Sequence, residues 1–481
     1  MRFKYVFNKV NIGRLVIIVI CWVENNMKVA LINPPASKVI YGNEYKLKSV
    51  IPCLGLFYLQ AYCKDIADIE IFEGELYSDL EHLIREINSF EPDIIGITSN
   101  TSTYPLCVEI AKSVDAKIKA VGGPYSTFRV SESLETFDIV FIGDSEVSFR
   151  MLIQNQPLET IPSIAFSKAG GEIIRTPNGS LPDLDSIPFP DHEKIQVGLY
   201  QASPHRKLKE PFATMITTRG CGFRCSFCLS AKGGMNDGKY RERSVRNVIQ
   251  ELELLATNFN VKSIQFWDDT FTMRRDRTKE LCAAIKNLGI EFVCNTRTDR
   301  IDSEIADWLS EAGCRGVFFG VESGDQEILD LDMQKGVKNE QVKNAVACCR
   351  KSGMWSTASF IFGSINDTEQ SIQETVNFAI ELNADYVLFN IYTAHPGTYG
   401  YVEALRQGII DEYKVDLNRW LDEPVGIPTI CKNLSRQQLH KLKAESYVRY
   451  YKSLGVDKYS DILQTYQDEI IRLSNASEQF N

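Results

Sequence analysis

Short, continuously apolar segments alternate with helical patterns through the first third of the chain. Strands are expected at 29–33, 69–72, 93–98, 117–121 and 138–142, and helices at 54–62, 80–87 and 105–114. Segments that are apolar on both faces are typical of parallel strands covered by helices on both sides. The pattern therefore predicts an α/β, Rossmann-like doubly wound domain over 27–161, with its ligand site at the carboxyl ends of the strands.

A second series of strands and helices begins near Phe212. Ser244 is placed to cap one of its helices, because apolar residues follow it at helical spacing. Six βα units predict a partial (β/α)6 TIM-type barrel over 211–400, with its catalytic groups at the carboxyl ends of the strands. The expected strands are 213–218, 263–267, 291–296, 316–321, 358–363 and 386–391.

Two further segments lie outside these domains. Residues 162–210 contain a stretch dense in Pro, Asp and Ser, which predicts an extended, irregular linker. Residues 401–481 are expected to form a short helical C-terminal tail, and Ser435 with Gln438 makes a capping box for a helix over 435–454.

Residues 1–26 fit neither pattern. Four basic residues precede the apolar run Leu15–Val23, which resembles part of a signal peptide, but no small-residue cleavage site follows. Nine apolar residues are too few to span a bilayer as a helix, which needs ~20. Met27 begins the first predicted strand, so we expect residues 1–26 to be a leader or the product of a start codon placed too early.

Composition narrows the class of protein. The 481 residues are 44% hydrophobic and carry a net charge of −10, which argues against nonspecific binding to nucleic acid or to a membrane surface. The 13 cysteines are an odd number without regular spacing, unlike a disulfide-stapled secreted protein. A reducing compartment, the cytoplasm, is therefore expected.

One group of cysteines stands apart from the rest. Cys221, Cys225 and Cys228 have the spacing C-x-x-x-C-x-x-C directly after a predicted barrel strand. Three thiolates from one loop suit a soft metal or an iron–sulfur cluster. Zinc would usually take a fourth local ligand, and the next cysteine, Cys282, lies in a predicted helix. A four-iron cluster with three protein ligands leaves one iron open.

This segment, with Phe227 before its last cysteine, resembles the signature of the radical S-adenosylmethionine (radical SAM) enzymes. Later segments match that family in order and cover about residues 211–400. They are Trp267-Asp268-Asp269-Thr270-Phe271-Thr272, Asn295-Thr296-Arg297, Gly320-Val321-Glu322-Ser323-Gly324, Phe362-Gly363 with Asp367-Thr368, and His395-Pro396-Gly397-Thr398.

The N-terminal half resembles the cobalamin (B12)-binding domain that precedes the barrel in one subgroup of this family. The matching segments are Asn33-Pro34-Pro35, Leu54-Gly55-Leu56, Gly122-Gly123-Pro124 and the turn Gly143–Glu146. That turn reads G-D-S-E where the subgroup usually has G-E-G-E. The sequence has no D-x-H-x-x-G motif, and hence offers no histidine as a lower cobalt ligand.

The resemblance implies a set of cofactor-binding residues. Cys221, Cys225 and Cys228 would hold a [4Fe-4S] cluster. The residues implied for SAM are Phe227, Asp269, Arg297, Glu322 and Ser323, and those for cobalamin are Gly122, Gly123, Pro124, Gly143 and Glu146. Read without the family, Asp269 suits a helix cap or turn equally well, and Arg297 suits a surface salt bridge.

The resemblance also implies an activity: cleavage of SAM to a 5′-deoxyadenosyl radical, serving cobalamin-dependent methylation of an unactivated carbon in a small molecule, lipid or peptide. A flavodoxin or ferredoxin would donate electrons, and neither nucleic acid nor membrane is expected as a partner. Three alternatives stay open: a radical SAM cyclase or rearrangement enzyme without functional cobalamin, a methylthiotransferase, and a non-catalytic Fe–S or zinc module.

Overall fold

The computed structural model describes residues 3–12, 15–24, 27–35, 49–202, 208–411, 429–455, 460, 463–468 and 470–471. At the N-terminus, β1 (Phe3–Ile12) and β2 (Leu15–Glu24) pair as an antiparallel hairpin. The apolar run of the leader therefore lies in a strand.

The N-terminal domain is built on a seven-stranded sheet with the order β4-β3-β5-β6-β7-β8-β9. Its first five strands are parallel, as the sequence predicts. Their order places a topological switch point between β3 and β5, where ligands bind in doubly wound sheets. The strands are β3 (Lys28–Asn33), β4 (Asp68–Glu73), β5 (Ile94–Thr98), β6 (Ile118–Gly122), β7 (Ile139–Phe141), β8 (Ile164–Ser167) and β9 (Ile173–Arg175).

The linker prediction is wrong in its first part. Residues 162–210 begin with β8 and β9, which extend the sheet in antiparallel fashion from β7. Ile164, Ala165 and Phe166 are buried, and this apolar triplet supplies the driving force for adding the strand. The N-terminal sheet therefore continues past residue 161.

Helices cover both faces of this sheet, and two separate apolar clusters fill the layers between. The helices are α1 (Leu54–Cys63), α2 (Leu80–Phe90), α3 (Tyr104–Ser113), α4 (Pro124–Phe128), α5 (Val130–Ser133) and α6 (Glu146–Ile153). Two of them, α1 and α6, pack on one face, and α2 and α3 pack on the other.

The second domain is the predicted partial barrel. Six parallel strands follow one another in the order β10-β13-β14-β15-β16-β17. They are β10 (Phe212–Met215), β13 (Ser263–Phe266), β14 (Glu291–Arg297), β15 (Cys314–Glu322), β16 (Trp355–Phe362) and β17 (Tyr386–Ile391). A small hairpin, β11 (Thr218–Arg219) with β12 (Arg241–Glu242), brackets the cysteine loop.

The barrel helices alternate with these strands. They are α7 (Val245–Asn258), α8 (Arg275–Ile285), α9 (Ser303–Glu311), α10 (Asn339–Lys351), α11 (Glu369–Leu382) and α12 (Tyr399–Arg406). Ser244 caps α7 as predicted, since its side chain accepts a hydrogen bond from the Asn247 N–H. In the C-terminal region α13 (Arg436–Ser453) begins with the predicted capping box of Ser435 and Gln438.

Helix α13 covers the open edge of the barrel sheet. The Tyr447 hydroxyl accepts from the Phe389 N–H at 2.9 Å and lies 3.4 Å from the Phe389 carbonyl oxygen. An uncovered edge strand would leave such backbone groups unpaired. Among the helices that the structure describes, none is long and apolar enough to cross a membrane.

Candidate cofactor-binding site

The cysteine loop leaves β11 at the carboxyl end of the first barrel strand. Gly220 has φ +80°, and a Cβ there would lie 2.3 Å from the Lys239 carbonyl oxygen, so only glycine fits this turn. The loop then folds on itself, with the Cys221 N–H donating to the Ser230 carbonyl. Cys221 and Cys225 are each 8% exposed, and Cys228 is half-buried.

Asp268 fixes the base of this loop, a role that the sequence reasoning missed. Its carboxylate accepts from the backbone N–H groups of Thr217 and Thr218 at 2.6 and 3.0 Å. It also accepts from the Thr217 hydroxyl. The side chain is fully buried. Asp268 therefore ties the end of β13 to the residues that lead into Cys221.

Burial controls the protonation of the loop thiols. It raises the pKa of the Cys221 thiol, and burial together with the Asp269 carboxylate raises the pKa of Cys228 to about 12. Such thiols stay protonated until a metal displaces the proton. Asp269 accepts from the Ser230 hydroxyl at 3.1 Å, and burial raises the pKa of its carboxyl.

The loop fits an iron–sulfur cluster better than a single ion. The cysteines are free thiols. Within the described part of the chain, no three His, Cys, Asp or Glu side chains converge closely enough to hold one metal ion. In a [4Fe-4S] cluster each cysteine binds a different iron, so its ligands need not meet at one point.

A buried ion pair lies beside the cysteine loop, at the end of the fourth barrel strand. The Lys335 ammonium and the Glu322 carboxylate are 2.6 Å apart. Burial alone would lower the pKa of Lys335, but Glu322 and the Cys225 thiol outweigh it and raise that pKa. Glu322 has φ +72°, a left-handed conformation that is rare outside glycine and clusters at functional sites.

One glycine of the G-V-E-S-G segment makes room for this pair, and the other lets the segment pack closely against α11. A Cβ on Gly320 would lie 2.3 Å from Glu322 Oε1 and 2.8 Å from Lys335 Nζ. A Cβ on Gly324 would lie 2.5 Å from Phe378 Cβ. The glycines of the segment thus serve close packing around the acid, and Lys335 is a buried cation beside it that no local sequence pattern pointed to.

The remaining residues predicted for SAM lie around the same pair. Phe227 is half-buried, with its ring 5.8 Å from Lys335 Nζ. The Ser323 hydroxyl is 3.0 Å from that of Thr375 and accepts from the Asp325 N–H. Arg297 is buried and contacts Cys225. The structure therefore brings four of the five together, whereas Asp269 lies on the other side of the cysteine loop, beside Cys221 and Cys228.

A cavity of about 360 Å³ opens between the two domains. One wall is the carboxyl edge of the N-terminal sheet, including the switch point between β3 and β5, and the opposite wall flanks the cysteine loop. Of the predicted cobalamin residues, Gly122, Gly123, Gly143 and Glu146 line it, whereas Pro124 begins α4 and is not part of the wall. Its barrel side includes Thr218, Arg219, Gly220, Trp267 and Asp269.

The cavity wall is shaped by glycine. Gly123 has φ +92°, and a Cβ there would lie 2.4 Å from the Ser99 carbonyl oxygen. Gly143 has φ +73°, and a Cβ there would lie 2.2 Å from Asn236 Oδ1. Gly55, on α1, has no protein atom within 4 Å of its Cβ position. Gly123 and Gly143 thus allow close packing of the chain at the cavity edge, and Gly55 leaves bare backbone there, which gives room for a large planar group such as a corrin ring.

An ion cluster joins the two domains at the rim of this cavity. Arg219 Nη1 lies 3.1 Å from Asp144 and 2.7 Å from Glu146, and Arg241 also pairs with Asp144. Asn236 donates to Asp144 at 2.9 Å. Burial alone would raise the pKa of Asp144, but Arg219 and Arg241 outweigh it and hold that pKa below its usual range. The G-D-S-E turn thus binds residues on both sides of the cysteine loop.

Comparisons with known proteins identify both domains of the chain. Residues 215–379 match the radical SAM superfamily, and residues 45–153 match the B12 binding domain. An uncharacterized methyltransferase of Pyrococcus horikoshii is 30% identical over 443 residues, which is 88% of this chain and 92% of the relative. The anaerobic magnesium-protoporphyrin IX monomethyl ester cyclase of Rubrivivax gelatinosus is 30% identical over 70% of this chain and 64% of its own length.

A solved structure shares the fold. It is the radical S-adenosylmethionine methyltransferase TsrM from Kitasatospora setae, with cobalamin and a [4Fe-4S] cluster bound. The TM-score is 0.64 at 19% identity, covering 79% of this chain and 78% of the other. The arrangement of a doubly wound domain ahead of a partial barrel is therefore common to both.

Proposed function

The chain belongs to the radical SAM superfamily, with a B12 binding domain ahead of its barrel, and on this premise we propose that it is a cobalamin-dependent methyltransferase. Its substrate would be an unactivated carbon of a small molecule, lipid or peptide. The proposal rests mainly on one observation, the cavity between the domains. The edge of the N-terminal sheet lines one side of it, and residues flanking the cysteine loop line the other. When bound, the cluster supplies the electron that cleaves SAM to a 5′-deoxyadenosyl radical, and cobalamin supplies a methyl carrier.

The protein's part is to hold these groups at a fixed separation. Cys221, Cys225 and Cys228 would bind three irons, on a loop held by Asp268. Gly122, Gly123, Gly143 and Glu146 would border the corrin at the edge of the N-terminal sheet, and Pro124 would fix the turn between that edge and α4. Because the cavity lies between the domains, closing it with a ligand also excludes water from the reacting atoms.

We propose a separate role in SAM binding for each residue near the buried ion pair. The buried pair of Glu322 and Lys335 offers both signs of charge to the zwitterionic methionine end, with Lys335 facing the carboxylate. Phe227 would pack against an apolar part of the molecule. Ser323 would support this pair through Thr375, and Asp269 would border the site from the cavity side.

A second candidate function is a radical SAM cyclase that works without a methyl carrier. The similarity to the cyclase of Rubrivivax gelatinosus favours it, since 70% of this chain is covered. Both candidates share the cluster and SAM cleavage. They differ in whether S-adenosylhomocysteine, the product of methyl donation, is formed.

Anaerobic purification followed by cofactor analysis tests the proposal. We expect iron, sulfide and cobalamin with each chain, and with dithionite and SAM both 5′-deoxyadenosine and S-adenosylhomocysteine, the second in proportion to bound cobalamin. Only 5′-deoxyadenosine, from a chain without cobalamin, would favour the cyclase. If the chain contained no iron and formed neither product, the non-catalytic module would be the remaining alternative.

The cluster chemistry also bears on the electron donor and on the cellular compartment. We propose a flavodoxin or ferredoxin as the physiological electron donor, and the cytoplasm as the location, because exposed oxidising conditions would convert the cluster thiols to disulfides. Replacing dithionite with reduced flavodoxin or ferredoxin in the cleavage assay tests the donor. If neither reduced protein supported formation of 5′-deoxyadenosine, the proposed electron donor would be rejected.

A further inference from the structure

The guanidinium of Arg297 touches one of the three cluster cysteines. Its Nη1 donates to Cys225 Sγ at 3.4 Å, within the range of an N–H···S hydrogen bond. The other two cysteines have different neighbours: Cys221 lies 4.0 Å from the Thr270 hydroxyl, and the Asp269 carboxylate acts on Cys228. A positively charged side chain therefore lies beside Cys225, and a negatively charged one lies near Cys228.

Arg297 is held rigidly in this position. Its Nε and Nη2 donate to the two carboxylate oxygens of Asp299 at 2.9 and 3.2 Å, and Nη2 also donates to the Lys335 carbonyl at 2.9 Å. The ring of Phe223, from the cysteine loop itself, lies 3.7 Å from the guanidinium carbon. Arg297 is 5% exposed. The side chain can neither rotate away nor reach further without breaking these contacts.

The same contacts bear on the role first expected of Arg297, pairing with the carboxylate of SAM. A bidentate Arg–carboxylate pair uses two parallel N–H groups, and Asp299 already occupies the Nε and Nη2 side of the fork. The Lys335 ammonium, which has three rotatable donors, is free of that constraint. Nη1, the nitrogen that these groups leave unoccupied, donates to the sulfur of Cys225.

We infer that Arg297 is a positioning residue that sets the reduction potential of the cluster through its hydrogen bond to Cys225. The inference rests on the proposed function, because it requires a cluster on this loop. Reduction adds one electron, and an N–H donor aimed at a ligand sulfur stabilises the added negative charge. Hydrogen bonds to the sulfurs are among the factors that set cluster potentials. Removing this donor shifts the potential to more negative values.

The test uses the reconstituted holoenzyme with Arg297→Gln, Arg297→Lys and the control Arg300→Gln. Arg300 lies near the same ring, at 5.1 Å, and near the same acid, at 3.9 Å, but is 42% exposed. The midpoint potential is measured by electron paramagnetic resonance of samples poised with dithionite, and SAM affinity is measured separately. We expect normal iron and sulfide in all variants, a more negative midpoint in Arg297→Gln, a smaller shift in Arg297→Lys, which keeps the positive charge but not the guanidinium fork, and the wild-type midpoint in Arg300→Gln.

Three results would overturn the inference. An unchanged midpoint with SAM affinity reduced about tenfold or more, the loss expected for a charged hydrogen bond, would make Arg297 a SAM ligand instead. Loss of iron from both Arg297 variants but not from Arg300→Gln would make it an assembly residue. A wild-type chain without iron and sulfide would reject the proposed function itself, which separates that failure from the failure of this inference.

Discussion

Cysteine side chains in this protein differ by what surrounds them. Cys221, Cys225 and Cys228 share one loop with charged neighbours, whereas Cys348 lies on helix α10 far along the chain. We predict that Cys225→Ala loses most of its iron and sulfide and all cleavage of SAM, since a cluster with two protein ligands is poorly held. Metal analysis and the yield of 5′-deoxyadenosine measure both effects. Cys348→Ala is the matched control, and loss of iron from it would contradict the assignment.

Gly55 gives a residue-level test of the cavity. It lies on α1 and lines the cavity, with no protein atom within 4 Å of its Cβ position. Leucine is a better helix former than glycine by about 1 kcal/mol, so Gly55→Leu should fold with unchanged or higher stability. Its side chain would occupy the cavity, and we expect cobalamin affinity to fall by about tenfold or more.

Two measurements check this expectation: thermal unfolding of the apoprotein and titration with cobalamin. Gly198→Ala, at an exposed position with no atom near its Cβ position and no positive φ, is the control and should bind cobalamin as the wild type does. Wild-type affinity in Gly55→Leu would place cobalamin elsewhere.

The sequence singled out the three cysteines of one loop and most of the cavity glycines because each set lies in short segments with a recognisable spacing. It could not locate Lys335 or Asp268 in their roles. Lys335 is 13 residues from Glu322, and the two meet only because a π-helical turn, Ile328–Asp332, brings the chain back to the end of β15. Asp268 follows β13 and accepts a hydrogen bond from Thr217, which follows β10. The pairing of these two strands brings the residues together.

At the scale of elements, the stability of the barrel sheet depends on the helix that covers its edge. Tyr447→Phe on α13 removes the hydroxyl that satisfies the Phe389 N–H and carbonyl, both buried. Leaving buried polar groups unpaired costs about 1–3 kcal/mol, so we predict a loss of stability of that size. Denaturant unfolding measures it. Tyr399→Phe, at a 56% exposed position on α12, should change stability little, and an equal loss in both variants would contradict the prediction.

The elements themselves were well predicted where the pattern was continuous. The five parallel strands of the first sheet and the six of the barrel appear within a few residues of their expected positions. β8 and β9 were missed because Pro, Gly and Ser residues surround them and only Ile164–Phe166 is a buried run. A short antiparallel edge strand carries too few apolar positions to be separated from a loop.

At the scale of the whole molecule, one interdomain contact depends on a neutral histidine. The His395 ring shares a 2.8 Å hydrogen bond with the Thr101 hydroxyl, and burial lowers the pKa of His395 to about 4. The unfolded chain takes up that proton near pH 6.5, whereas the folded chain resists it. This site therefore costs no stability above about pH 6.5 and costs progressively more as the pH falls toward 4.

We predict that His395→Asn loses stability less steeply between pH 6.5 and 4.5 than the wild type does. Denaturant unfolding of the apoprotein at several pH values measures the difference. His82→Asn removes an exposed histidine of α2 and should keep the wild-type slope. Parallel slopes for His395→Asn and the wild type would show that the site does not titrate in this range.

The ion cluster around Asp144 joins the two domains close to the cysteine loop. Arg219 is two residues from Cys221, and Asp144 follows the last parallel strand of the first sheet. Asp144→Asn keeps the shape but leaves Arg219 and Arg241 without their shared counter-charge. These side chains are only partly buried, so the loss of stability should be smaller than the roughly 3 kcal/mol for breaking a fully buried ion pair. We expect the loss to weaken the contact between the domains rather than either core.

We therefore expect Asp144→Asn to bind iron normally, to be cleaved faster by protease in the segment joining the domains, and to form less S-adenosylhomocysteine for each 5′-deoxyadenosine. Asp144→Glu, which restores the G-E pattern common in the subgroup, should retain docking. Asp65→Asn breaks an exposed pair with Arg150 and should lie within about 1 kcal/mol of the wild type. A product ratio unchanged in Asp144→Asn, with proteolysis also unchanged, would mean that the other contacts of the interface, such as the hydrogen bond between Thr101 and His395, hold the two cofactor sites together without this ion cluster.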